Sequence, residues 1–117
     1  MLVYCVNDGA VMSAWGDAMG IEGSMITFLA DTRSELTQAL GVVLDHPGPM
    51  SVLGNPRCKR FAMYLVDGVI KYVAVAERGP KGEEDPAGDD FPESTLAPAM
   101  IEAIKEMKKK AGEKVEL

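Results

Sequence analysis

The sequence predicts a mixed α/β fold with the element order β-α-β-α-β-β-α. Three observations carry that expectation. Two short apolar runs, residues 2–6 and 25–30, are each followed by a helix-start signal, the order of parallel strands joined by right-handed crossovers. An Asp-Gly pair separates two β-rich runs further on, and the chain closes on an amphipathic stretch.

The first run ends at Asn7-Asp8 and reads as a buried parallel strand, since such strands are apolar on both faces. Asp8 or Asn7 can cap the next segment, residues 10–19, where Val11, Trp15 and Ala18 or Met19 recur at helical spacing. Gly20 supplies the stop. After the second strand, Thr32-x-x-Glu35 matches a capping box: the Thr hydroxyl takes one free helix N–H while Glu35 reaches back. Leu36, Ala39 and Leu40 give that short helix its expected buried stripe, and Gly41 ends it. Residues 45–57, with Pro47, Pro49, Pro56, Gly48 and Gly54, read as loop.

The clearest local signal follows. Residues 61–66 and 69–75 flank Asp67-Gly68, and a two-residue hairpin turn needs positive φ at both central positions. Residues 78–93 carry three prolines, three glycines and six carboxylates, which reads as an acidic, solvated Gly/Pro loop. Ser94 or Thr95 opens the last helix. Its apolar face is Leu96, Met100, Ile101, Ile104 and Met107, with Pro98 in the tolerant first turn and Lys105, Lys108, Lys109 and Lys110 near the negative end. A parallel βαβ unit, an antiparallel hairpin and a terminal helix outline a thioredoxin-like fold.

Composition narrows the function classes. The chain has 117 residues, 47% of them hydrophobic, with 12 Lys+Arg against 18 Asp+Glu and a formal net charge of −6. That length fits one domain, and the apolar share is too high for a disordered chain. The apolar runs are too short for a transmembrane helix, and the first residues lack the basic region of a signal peptide. Net acidity argues against a nucleic-acid binder. The carboxylates of residues 83–93 lack calcium-loop spacing, and the Lys-rich tail from Lys105 to Lys114 reads as a solvent face, not a membrane anchor. Two cysteines and one histidine form neither a disulfide scaffold nor a zinc set, so no cofactor and no metal are expected. Both thiols are expected free, in a reducing compartment; nothing separates cytoplasm from plastid or mitochondrion.

Five strings then occur in order: VNDGAVMSAWG from Val6, FLAD from Phe28, LTQALGVVLD from Leu36, LGNPRCKRFAMYLVDGVIK from Leu53 and STLAPAMI from Ser94. Together they resemble the type II, or atypical two-cysteine, peroxiredoxins, the redoxin subfamily that reduces peroxides through a cysteine thiolate. The resemblance covers Val6 to about Ile104 and implies one partial redoxin domain over residues 1–117. It also implies glutaredoxin or thioredoxin as reductant. The family's peroxidatic cysteine lies in P-x-x-x-T-x-x-C, a motif found nowhere in these residues; the resemblance places it, with its strand and helix, upstream of Leu2.

Arg60 matches the family arginine that faces the thiolate and polarises peroxide, a task suited to a permanently charged donor. Read without the family, it is a strand-edge arginine with its head in water. The resolving cysteine falls at Ser94-Thr95 in one branch and at Val3 in the plant-like branch. Cys5 lies two residues from Val3, an even offset that keeps the strand face. Cys58, in the loop beside Arg60, is the other candidate redox thiol; for each cysteine the plainer reading is a small buried side chain. Loss of the implied upstream strand leaves a sheet edge for a protein partner, with loop 78–93 as a second contact surface. The expectation is thus a peroxidase whose reacting cysteine lies outside these residues, or a non-catalytic redoxin-fold subunit of a larger assembly. On either reading the 117 residues alone are expected to be inactive.

Overall fold

A parallel strand pair organises the first half of the chain. In the computed structural model, which describes residues 1–112, β1 (Leu2–Cys5) pairs in parallel with β2 (Thr27–Ala30), Leu2 opposite Thr27 and Cys5 opposite Ala30. α1 (Gly9–Met19) connects them. Its start and stop are those the sequence signals: the Asp8 carboxylate accepts the Val11 N–H at 2.8 Å, and Gly20 ends the helix at φ 65°. The chain divides into two compact units, Met1–Cys58 and a second beginning at Lys59. Residues 113–117, including Lys114 of the lysine-rich tail, lie outside the described residues.

The buried stripe of α1 differs from the expected one. Met12 and Gly16 face inward, whereas Val11 and Trp15 are 44% and 38% exposed. Gly16 takes the inward position because it has no side chain: a Cβ there would lie 3.1 Å from Ile21 Cδ1. Periodicity counts bulk and therefore misses a helix packed through its backbone. Trp15 lies against Phe28 instead, ring centroids 4.5 Å apart and tilted by 44°. The two strands are also less buried than expected, with Leu2 and Leu29 both exposed.

The expected capping box is absent. α2 (Glu35–Leu40) is preceded by Ser34 at φ 60°, whose hydroxyl caps nothing, and Thr32 bonds back to the Asn7 carbonyl. Asp31 does the work of the box: its carboxylate accepts the Leu36 N–H at 3.2 Å and the Thr37 N–H at 2.9 Å. One carboxylate serves both donors through its two oxygens. The buried residue of α2 is Thr37, while Leu36 and Ala39 are exposed.

Residues 45–57, expected as loop, contain structure. β3 (Val43–Leu44) pairs antiparallel with β4 (Arg57–Cys58), and α3 (Pro47–Leu53) lies between them. Its cap is the His46 imidazole, whose Nδ1 accepts the Gly48 N–H at 3.1 Å, and Pro47 opens the helix where no N–H is missed. Val6, Met12, Val42 and Leu44 are the buried apolar residues of this unit.

The second unit is built on the predicted hairpin. β5 (Arg60–Val66) and β6 (Val69–Ala76) pair antiparallel, and Asp67 and Gly68 adopt φ of 51° and 77°. A register shift after Tyr64 lets Leu65 face Ile70. The named strands thus form three two-stranded sheets. Residues 78–92 form an irregular, largely exposed to half-buried loop, as expected, but one pinned from within: Arg78 bridges Glu84, and Asp85 is only 3% exposed. Its carboxylate accepts the Phe91 N–H at 2.8 Å and the Asp90 N–H at 3.3 Å, folding the segment around one buried anion.

A 3₁₀ turn (Glu93–Thr95) precedes α4 (Ala97–Lys110). Neither Ser94 nor Thr95 caps α4, which starts after Leu96 with no side-chain cap. The apolar face of α4 is half-buried to exposed, with no fully buried residue. No helix of the described residues is long and apolar enough to cross a membrane.

Candidate functional site

Two groups of the expected residues can be placed. In the first unit, Tyr4 on β1 reaches Cys58 on β4, its hydroxyl 3.3 Å from Cys58 Sγ and 3.2 Å from Thr37 Oγ1. Thr37 is fully buried and donates its own proton to Asp31 at 2.7 Å. That donation fixes the rest. Having spent its one proton, Thr37 Oγ1 can only accept from the Tyr4 phenol. The result is a chain of polar contacts from the Asp31 carboxylate through Thr37 and Tyr4 to the Cys58 thiol. Nearby, Arg57 Nη1 donates to the Val6 carbonyl at 2.6 Å.

Neither cysteine is in a disulfide, both are half-buried, and Cys58 lies on β4 instead of in a loop. Burial pushes the Cys58 pKa up, and its polar contacts with Tyr4 and Thr37 offset only part of this. Burial likewise raises Cys5, helped by the nearby Cys58 and opposed by Arg57. Burial also drives the Tyr4 phenol well above its ordinary value. At neutral pH both thiols therefore hold their protons, the opposite of an activated sulfur.

Asp31 is tuned the other way. Burial would raise its pKa, but the hydrogen bonds from the Thr37 side chain and from the backbone of α2 outweigh it and hold the carboxyl below its ordinary value. A carboxyl depressed by folding stabilises the fold above its unfolded pKa of about 3.9, and that stabilisation is lost as pH falls through the folded value. Asp31→Ala is accordingly expected to cost roughly 0.5–2 kcal/mol at pH 7, as for loss of a helix cap. Chemical melts from pH 7 downward should show the gap between variant and parent closing below about pH 4. A gap that stays constant into acid would refute the role.

Arg60 opens β5 in the second unit, and its side chain is 43% exposed. It is not simply solvated: Nη2 donates to Asp89 Oδ1 at 3.1 Å, a carboxylate 73% exposed on the acidic segment. Beside it, Lys59 pairs with Glu77 at 2.7 Å. Such partly exposed pairs are weak. Arg60 is thus a fixed positive group that an anion can contest. Among the described residues no group of three or more His, Cys, Asp and Glu could hold a metal.

Sequence reasoning missed Tyr4, Thr37, Asp31 and Asp89. A phenol in an apolar strand and a threonine in an apolar stripe were the available signals for the first two.

The chain is thus an α/β protein with a parallel βαβ start and a separate antiparallel hairpin. The chain belongs to the Redoxin family, whose model matches residues 1–91, a span that includes Cys5, Cys58 and Arg60. It is similar to Peroxiredoxin-2E-2, chloroplastic, of Oryza sativa subsp. japonica, with 39% identity over 74 residues, covering 63% of this chain and 32% of that protein. It is also similar to a putative peroxisomal peroxiredoxin of Lipomyces kononenkoae, 32% identical over 82 residues, or 70% of this chain and 47% of that one.

Among solved structures, reduced Prx3 from Vibrio vulnificus in complex with H2O2 superposes with a TM-score of 0.66 at 31% identity, covering 91% of this chain and 55% of that one. The protein is therefore a peroxiredoxin-like member of the thioredoxin fold. The chain spans about a third to a half of the length of these two curated relatives.

Proposed function

We propose that the chain is part of a thiol-dependent peroxidase of the hydroperoxide-reducing, redox-homeostasis kind, supplying the arginine of the peroxide site and not the reacting sulfur. Arg60 carries this reading: a partly exposed guanidinium, lightly held by Asp89, at the start of a strand. Its fixed donors suit both a thiolate and the oxygens of a peroxide. In the reaction implied, a thiolate attacks one peroxide oxygen, an S–O bond forms as O–O breaks, and the leaving hydroxide takes a proton to become water. Glutaredoxin or thioredoxin then returns the sulfenic acid to thiol. Cys5 and Cys58 fit the attacking role poorly because burial keeps them protonated. The motif P-x-x-x-T-x-x-C does not occur in the 117 residues.

Two measurements test the reading. The 117-residue chain, supplied with thioredoxin or glutaredoxin and a reductant, is expected to consume H2O2 no faster than the protein-free mixture. In a chain that also contains P-x-x-x-T-x-x-C, Arg60→Ala should lower kcat/KM by about 10²–10³-fold, as for loss of an oxyanion donor. Turnover by the 117 residues alone, or unchanged kinetics on losing Arg60, would sink the proposal.

The family match runs from the first unit into the second, which supports one partial redoxin domain over residues 1–117. A reducing compartment suits the free thiols. The alternative is a non-catalytic redoxin subunit of a larger assembly, which would meet its partner at the exposed sheet edge or at loop 78–93. Intact-mass measurement on native material separates the two: a mass extending through the cysteine motif favours the enzyme, and a mass of the 117 residues within a stable complex favours the subunit.

A further inference from the structure

A cleft of about 440 Å³ opens in the first unit beside α2, and the peroxide chemistry proposed above makes no use of it. Val6 and Val43 supply apolar lining, while Arg33, Ser34, Asp45 and Asn55 bring polar groups. Two features distinguish it from an ordinary surface depression. Ser34 Oγ is buried without a hydrogen-bond partner, on a backbone at φ 60° and ψ 22° that side-chain-bearing residues avoid. Arg33 and Asp45 carry opposite charges on the same cleft, yet neither side chain has an ion pair or hydrogen bond among the described residues.

We propose that this cleft binds a small zwitterion of the α-amino-acid or short-peptide class. The carboxylate of the ligand pairs with Arg33, its ammonium with Asp45, and the Ser34 hydroxyl, buried without a partner in the free chain, turns outward to meet an amide or carbonyl. Each assignment follows from chemistry. A guanidinium recognises a carboxylate through paired donors, and a carboxylate can only accept, as an ammonium requires. A hydroxyl both gives and takes a proton, which suits a peptide group. A simple anion would satisfy Arg33 but meet repulsion from Asp45, and a simple cation the reverse. Only a ligand bearing both charges answers both residues. The volume suits a small molecule, since ligand pockets begin near about 300 Å³.

The test is a ¹H–¹⁵N titration of the full chain with glycylglycine, run beside N-acetylglycylglycine, glycylglycinamide and inorganic phosphate. Saturable shifts are expected at residues 32–38, 43–45 and 55, with a Kd on the order of 1–10 mM. Blocking either end of the dipeptide should weaken binding about three- to tenfold, the range of a partly exposed ion pair. Arg33→Gln should erase the penalty for amidation, and Asp45→Asn that for acetylation. Ser34→Gly relieves the left-handed backbone, so it should raise the melting temperature while weakening glycylglycine binding; a purely structural serine would not split the two readouts. The proposal is overturned if no saturable shift appears by about 20 mM, if the blocked dipeptides bind as well as the free one, or if phosphate binds at least as tightly.

Discussion

Gly88→Ala should lower the unfolding free energy by about 2–4 kcal/mol, measured by chemical denaturation of the full chain. Gly88 adopts φ 73°, a region that already penalises any side chain. Its surroundings add more. A Cβ built there would lie 2.6 Å from the Ala76 carbonyl oxygen, 2.9 Å from Arg60 Cβ and 3.0 Å from Ala76 Cβ. Those atoms belong to the paired ends of β5 and β6, where Arg60 faces Ala76 in the ladder. The backbone oxygen and the two Cβ atoms cannot swing aside as the tip of a long side chain can, so the strand ends or the loop must shift. The neighbouring Asp89 holds Arg60, so the same change should loosen that pair. A loss below about 0.5 kcal/mol, the level of an ordinary surface substitution, would contradict the crowding.

Asp85→Ala should cost about 2–4 kcal/mol by the same measurement. The carboxylate is 3% exposed and is the acceptor for the N–H groups of Phe91 and Asp90. Deleting it strands two donors in a segment also held by the Arg60–Asp89 pair and by backbone bonds such as Gly79 N–H to the Glu83 carbonyl at 2.8 Å and Asp85 N–H to the Glu77 carbonyl at 3.1 Å. Asp85→Asn keeps one accepting oxygen and should retain about half of the stabilisation. Hydrogen exchange at Phe91 should accelerate in the alanine variant. Exchange and stability both unchanged would mean that the buried anion does not organise the loop. Asp90→Ala, at an exposed carboxylate five residues along, is the control and should change stability by less than about 0.5 kcal/mol.

What could be read from sequence follows the range of the interaction that decides it. Asp8, Gly20, Gly41 and Asp67-Gly68 each settle a local backbone choice within a few residues, and each appears where expected. α3 escapes because its cap is an imidazole, outside the usual capping residues, and because Pro47 and Pro49 read as breakers although they sit in the first turn. The start of α2 escapes because Asp31 reaches five and six residues ahead, beyond the spacing of a capping box. Among six carboxylates in residues 78–93, nothing local marks Asp85 as the buried one; the fold selects it.

The candidate site shows the same limit. Cysteine chemistry singles out Cys5 and Cys58, and Arg60 is reached only through the family resemblance. The links that define the surroundings of the thiols run from Tyr4 to Thr37 and Cys58, across 33 and 54 residues. The apolar faces differ from expectation for a related reason. Gly16 and Thr37 occupy inward positions that a search for bulky apolar residues passes over.

Sulfurs that keep their protons at neutral pH are also slow to exchange with one another. Neither Cys5 nor Cys58 presents the ionised form from which disulfide exchange starts. Purified chain left in air should therefore gather few disulfide cross-links between molecules.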